Sequence, residues 1–172
     1  MSNFLSNFEK ANKNAKRLSN KILIDGKLIS PSTDSKIKVV NPSTGESIGD
    51  APQCNKVDVD HAVKSSLNAF KEWKKIPARE RGRLVEQGAR KLEERRGEIE
   101  TLLALDTGNA LRTQAKPETA ASIELTRMFA GLSGEIKGEN YPPNIINTLH
   151  FTTRDPIGVV CAIVPWNAPL FL

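Results

Sequence analysis

Asp155-Pro156-Ile157-Gly158-Val159-Val160-Cys161-Ala162-Ile163-Val164-Pro165-Trp166-Asn167-Ala168-Pro169-Leu170-Phe171-Leu172 is the last stretch of the 172-residue sequence. The Asp-Pro pair is a turn signal. It leads into an apolar run with two β-branched pairs, Val159-Val160 and Ile163-Val164, the pattern of a strand buried on both faces of a parallel sheet. The run stops at Pro165. An aromatic, one amide and a second proline follow, placed where a helix can begin. Asn167 is therefore expected at the carboxyl end of a strand, where open α/β sheets bind ligands.

Working back, Thr148 to Arg154 alternates polar and apolar residues at period 2, as a half-buried antiparallel or edge strand does. Before it, Tyr141-Pro142-Pro143 marks an irregular connection. Residues 58–134 repeat at helical period. One face carries Val59, Val63, Leu67, Phe70 and Trp73, with Asp58 as the expected cap. Pro77 opens a second helix with Leu84, Val85, Ala89 and Leu92 on its apolar face. Gly97 is expected to interrupt it. Ile99, Leu102, Leu103 and Leu105 form a further face that ends at Asp106-Thr107-Gly108. Pro117 opens the last helix, through Ala121, Leu125, Met128, Phe129 and Leu132, and all of these faces read as core.

The front of the chain is built from turns. Ile22-Leu23-Ile24-Asp25-Gly26-Lys27-Leu28-Ile29 places two apolar runs around Asp-Gly, a strong hairpin signal. A second pair, Lys36 to Val40 and Glu46 to Ala51, is joined through Asn41-Pro42-Ser43-Thr44-Gly45. Residues 1–20 put Phe4, Leu5, Phe8, Ala11, Ala15 and Leu18 at helical spacing, and Glu9 with few serines and arginines favours a docked or frayed terminal helix over a targeting peptide.

Composition excludes some classes of function. The longest apolar run, Ile157 to Pro165, is well short of the roughly 20 residues a bilayer-spanning helix needs. A net charge of +5 comes from Lys and Arg interleaved with Glu and Asp, and aromatics are only 5%. That pattern speaks against a nucleic-acid surface, which gathers basic residues on one face beside stacking aromatics. Cys54 and Cys161 stand far apart, which suits a reducing compartment rather than a disulfide framework.

Few residues are placed to carry chemistry. His61 and His150 have no metal-ligand spacing and no acid-base partner. Neither a Gly-x-Gly-x-x-Gly fingerprint nor a P-loop is present. Cys161 lies within the run expected to be buried, which raises a thiol pKa and blocks access, and Cys54 lies in a polar loop. Asn167 differs from these. A neutral amide after a buried strand, between two prolines, can direct its NH2 into a crevice as an oxyanion donor or can simply cap a helix. Trp166 taken alone reads as core.

Pro156-Ile157-Gly158-Val159-Val160, followed by Ile163-Val164-Pro165-Trp166-Asn167-Ala168-Pro169-Leu170, closely resembles the start of the cofactor domain of the NAD(P)-dependent aldehyde dehydrogenase superfamily. Other segments agree in order and spacing: Val40-Asn41-Pro42-Ser43-Thr44-Gly45-Glu46, Asp58-Val59-Asp60, Ala69-Phe70 with Trp73, Arg79 with Arg81, and Asp106-Thr107-Gly108. The resemblance implies an α/β fold in which β-hairpins and a helical bundle lead into the first strand of a parallel cofactor-binding sheet. Its implied parts are an arm over 1–20, hairpins and helices over 21–147, an oligomerisation-type strand over 148–155 and a first parallel strand over 156–172.

By the same resemblance Asn167 is the oxyanion-hole amide, and Val164, Pro165, Trp166 and Asn167 line NAD or NADP. No metal site is assigned; Asp106, with the backbone near Val39, resembles a structural monovalent-cation site of some members. The implied partners are a small aldehyde substrate and copies of the same chain, in the cytoplasm, with no nucleic acid and no membrane. The family's cysteine nucleophile, its glutamate base and the Lys and Glu that hold the adenosine ribose all lie downstream of the asparagine motif. The 172 residues are therefore expected to be inactive alone, since an oxyanion donor cannot stabilise an adduct that nothing forms. Two readings follow: the amino-terminal part of an aldehyde dehydrogenase, or a non-enzymatic module that associates with a full-length relative.

Overall fold

A computed structural model describes residues 2–172; Met1 and the side chains of residues 2–4, Phe4 among them, all within the expected arm, lie outside the described residues. Helix α1 (Ser2–Leu18) is followed by two hairpins, β1 (Ile22–Ile24) with β2 (Lys27–Ile29) and β3 (Lys36–Val40) with β4 (Ser47–Pro52). Helices α2 (Lys56–Trp73), α3 (Ala78–Glu94) and α4 (Arg96–Thr107) come next. A π-helical turn, Leu111–Ala115, then leads into α5 (Lys116–Leu132). A short third hairpin pairs β5 (Asn140–Tyr141) with β6 (His150–Phe151).

Turn chemistry sets the hairpins. Asp25 and Gly26 both take positive φ, 53° and 70°, as the tight two-residue loop between β1 and β2 requires. Gly45, at φ 73°, closes the β3–β4 turn, and the Asn41 side chain accepts from the Ser43 amide at 2.9 Å. At α2 the cap is Asn55 and not Asp58. Asn55 Oδ1 accepts from the Val57 and Asp58 amides at 2.8 and 3.3 Å, while Asp58 Oδ2 accepts from the Asn55 amide at 3.2 Å. This reciprocal capping box puts Asp58 at its third position, so the cap of α2 lies three residues before the sequence reading placed it. The break between α3 and α4 falls at Arg95, and Gly97 lies inside α4's first turn. Gly108, at φ 73°, ends α4 as expected.

The core lies where α3, α4 and α5 meet. Ala89, Ala115, Thr119 and Ile123 are fully or almost fully buried, and Thr119 Oγ1 donates to the Ala115 carbonyl at 2.9 Å. Gly82 of α3 lets α5 approach closely, since a Cβ there would stand 2.5 Å from the Ala130 carbonyl oxygen. Helix α1 docks on α4 and β4: Gly97 faces Asn7, and the Asp50 amide donates to Ser19 Oγ at 2.8 Å. No helix among the described residues is long and apolar enough to cross a membrane.

Three expectations about burial are corrected. On α5 the buried residues are Thr119, Ser122, Ile123 and Ala130, while Met128, Phe129 and Leu132, read as core, are exposed, as is Leu84 of α3. The α2 face read as core is largely open, with Val59 54% and Leu67 47% exposed, because among the described elements α2 packs chiefly against the short strand β1. Likewise the run 157–164 joins no strand ladder among the described residues; Ile157 and Ile163 are 95% and 94% exposed, and Cys161 is exposed with them. A parallel strand takes its hydrogen bonds from neighbouring strands, and every ladder among the described residues is an antiparallel pair. The Thr148–Arg154 segment does pair, over His150 and Phe151 only.

Candidate functional site

The terminal loop is held from one side. After Pro165 the chain turns, and the Phe171 and Leu172 amides donate to the Ala168 carbonyl at 3.2 and 3.1 Å, a first helical turn with Pro169 at its head. The α4–α5 connection supplies the wall behind it. The Thr107 hydroxyl accepts from the Asn109 amide at 3.1 Å, and Gln114 Oε1 accepts from the Ala110 amide at 2.9 Å. The π turn that follows delivers Glu118 to the first turn of α5. From that wall Asn109 Nδ2 donates to the Asn167 carbonyl at 3.3 Å, and Glu118 Oε1 accepts from the Leu170 amide at 3.0 Å.

Between loop and wall lies an open cleft of about 350 Å³, lined by Asn109, Gln114, Glu118, Asn167, Ala168 and Phe171 among others. The Asn167 side chain is exposed, and its amide makes no hydrogen bond to a protein group among the described residues. It remains available to an incoming oxygen. Of the other expected site residues, Val164 and Trp166 are exposed and Pro165 is half-buried in the approach to the loop. This apolar strip beside one amide suits one wall of a dinucleotide site, since a planar ring can lie against it while the amide turns outward.

The remaining candidates fall elsewhere. Asp106 and Val39 line one cleft of about 370 Å³ between α1, β4 and α4, together with Leu18, Leu103 and Leu170. No cluster of three or more His, Cys, Asp or Glu side chains that could hold a metal occurs among the described residues. Cys54 is exposed in the loop before α2. His150 packs against Tyr141 with ring centroids 5.5 Å apart. His61 lies on α2, where its charge helps Asp58. Burial pushes the Asp58 carboxyl up, but hydrogen bonds from the Ser32 and Asn55 amides and the Ser32 hydroxyl, with His61, outweigh it and hold the carboxyl below its ordinary value.

Sequence reading missed Asn109 and Glu118. Glu118 follows Pro117 in a helix's first turn, a position that local rules explain fully by the helix dipole. Nothing local links it to Leu170.

Comparison with known proteins identifies the family. The sequence model of the aldehyde dehydrogenase family matches residues 29–172. Aldehyde dehydrogenase [NAD(P)+] 2 of Saccharomyces cerevisiae is 39% identical over 142 residues, which are 81% of this chain and 28% of the yeast protein. The human mitochondrial 10-formyltetrahydrofolate dehydrogenase is 35% identical over 154 residues, 87% of this chain and 17% of that protein. Among solved structures, betaine aldehyde dehydrogenase of Staphylococcus aureus in complex with NAD+ superposes with a TM-score of 0.87 at 29% identity, over 95% of this chain and 33% of the other. HpcC of Thermus thermophilus gives a TM-score of 0.89 at 27% identity, over 98% of this chain and 32% of the other. The chain thus spans about a third or less of the length of these relatives. On the family match and these likenesses, the chain belongs to the aldehyde dehydrogenase family.

Proposed function

We propose that these 172 residues are the amino-terminal portion of an NAD(P)-dependent aldehyde dehydrogenase that oxidises an aldehyde to a carboxylic acid through a cysteine thiohemiacetal. The observation that carries this reading is the Asn167 loop. It lies in a family-matched segment, its backbone is tied at Asn167 and Leu170, and its side-chain amide faces no internal acceptor. The Asn167 NH2 donates to the oxyanion that forms when a cysteine thiolate attacks the aldehyde, and a preorganised donor of this kind stabilises the transition state more than the ground state. Val164, Pro165 and Trp166 form the apolar wall against which NAD or NADP lies. The dinucleotide, when bound, supplies the hydride acceptor. The nucleophile and the deacylating glutamate come from segments downstream of Leu172. Residues 148–155 are the proposed oligomerisation strand, 156–172 the first strand of the cofactor sheet, and the cytoplasm the proposed compartment.

The test is spectrophotometric. The purified 172-residue protein, given NAD+ or NADP+ and a panel of aldehydes, forms no reduced cofactor; aldehyde-dependent absorbance at 340 nm would overturn the proposed division of labour. In an enzyme completed by the downstream segments, Asn167→Ala lowers kcat by about 10²–10³, the loss typical of one oxyanion donor.

The open α2 face and the unpaired run 157–164 favour a second reading, a non-enzymatic module that covers these surfaces by joining a full-length relative. Size-exclusion chromatography of the chain mixed with such a relative distinguishes the two. A stable mixed complex supports the module, and separate elution supports the enzyme portion.

A further inference from the structure

We infer that Glu118 is a positioning residue for Asn167: its carboxylate, helped by Asn109, fixes the backbone of the 167–170 turn and so sets the direction of the oxyanion donor. The inference rests on the reading of Asn167 given above. Three observations carry it. Glu118 Oε1 accepts from the Leu170 amide at 3.0 Å, and Asn109 Nδ2 donates to the Asn167 carbonyl at 3.3 Å, so the turn is tied at its first and fourth residues. Leu170 also lines the apolar cleft with Leu102 and Leu103 of α4, so the turn is held against α4 as well as through its amide to α5. Glu118 and Asn109 are brought to one side of the loop by the π turn between them, an irregularity that recurs at functional sites.

Chemistry makes Glu118 the principal anchor. The bond from Asn109 is long and exposed, whereas the carboxylate on Leu170 is half-buried and charge-assisted, a class of hydrogen bond about twice as strong as a neutral one. Asn167 lies three residues before the anchored amide. With Pro165 and Pro169 fixing φ on either side, little freedom remains for the intervening backbone once Leu170 is held. Without the anchor, the same amide samples orientations that miss the oxyanion, and sub-ångström placement is what gives such a donor its effect.

The experiment is amide NMR and hydrogen exchange on the ¹⁵N-labelled 172-residue chain, with Glu118→Gln and Glu118→Ala beside it. In the unsubstituted chain the Leu170 amide is expected to be protected, and its proton shift to follow the ionisation of the Glu118 carboxyl. Glu118→Gln keeps an acceptor oxygen, so protection survives while the pH-dependent shift disappears. Glu118→Ala loses at least tenfold in protection, and the Asn167 side-chain NH2 resonances move with it. Leu170 exchange that is equally fast in all three chains, or a pH-dependent shift that persists in Glu118→Gln, overturns the inference. These readouts involve no aldehyde chemistry. If Asn167→Ala leaves kcat unchanged in a completed enzyme, the proposed function fails while the Glu118 tether stands, so the two failures are separable.

Discussion

Asn14 of α1 donates through Nδ2 to Glu98 of α4 at 2.6 Å, joining the first helix to the bundle across 84 residues. Arg95 binds the same carboxylate through Nε and Nη2 at 3.1 and 2.6 Å. Hydrogen bonding from Arg95 is the leading cause that holds the Glu98 carboxyl below its ordinary value; burial opposes it, and Asn14 and the nearby Lys10 charge add to the lowering. The folded-state pKa is depressed, so the stabilisation is full above the unfolded-state pKa and is lost as pH falls through the folded one. Denaturation followed against pH is expected to show α1 detaching on the acid side. Asn14→Ala should cost about 0.5–1.5 kcal/mol by urea titration and narrow that acid-side loss.

The capping box of α2 gives a second expectation. Removing the Asn55 side chain leaves the Val57 and Asp58 amides without their acceptor, so Asn55→Ala should destabilise by about 1 kcal/mol. Asp58 is also held below its ordinary value, and the same sign applies: its contribution is present above the unfolded-state carboxyl pKa and vanishes on acidification through the folded one. Circular dichroism on Asn55→Ala and Asp58→Asn checks both, the second variant flattening the acid limb.

At Gly82 the constraint is steric. An added methyl meets the Ala130 carbonyl oxygen and Ser133, both near the end of α5, and backbone cannot rotate away as a flexible side chain could. Gly82→Ala should therefore cost about 1–3 kcal/mol, the range for overpacking. Gly88, on the same helix, has nothing within 4 Å of the corresponding position, so Gly88→Ala should be neutral or stabilising, by up to about 1 kcal/mol. Thermal unfolding of the pair separates a packing effect from a helix-propensity effect.

The exposed face of α2 makes the opposite kind of prediction. Leu67 and Trp73 are 47% and 41% exposed, so polar replacement removes little burial from this chain. Leu67→Ser and Trp73→Ser should each stay within about 0.5 kcal/mol of the unsubstituted chain, as surface changes do. Binding of the dye ANS and light scattering should fall in both, because a contiguous apolar patch drives association.

Sequence alone determined the local geometry of this protein and marked the motif that carries its candidate site. Asp25-Gly26 and Gly45 had to make turns and Gly108 had to end a helix, because those φ values suit few other residues. Helical period placed α2 to α5 within a few residues, and Trp166-Asn167 with its flanking prolines marked the candidate site. What the sequence could not decide was which apolar faces are covered. Helices α3, α4 and α5 meet through Ala89, Leu103 and Ile123, yet Met128 and Phe129 of α5, the apolar face of α2 and the run 157–164 stay open, since burial belongs to the neighbours and a parallel strand exists only beside another strand. Only the tertiary structure brought Glu118 to Leu170 and Asn109 to Asn167, over 52 and 58 residues. Propensity and capping act within one turn of the chain, whereas the hydrogen bonds that hold the Asn167 loop depend on how a π turn aims one helix at a distant loop.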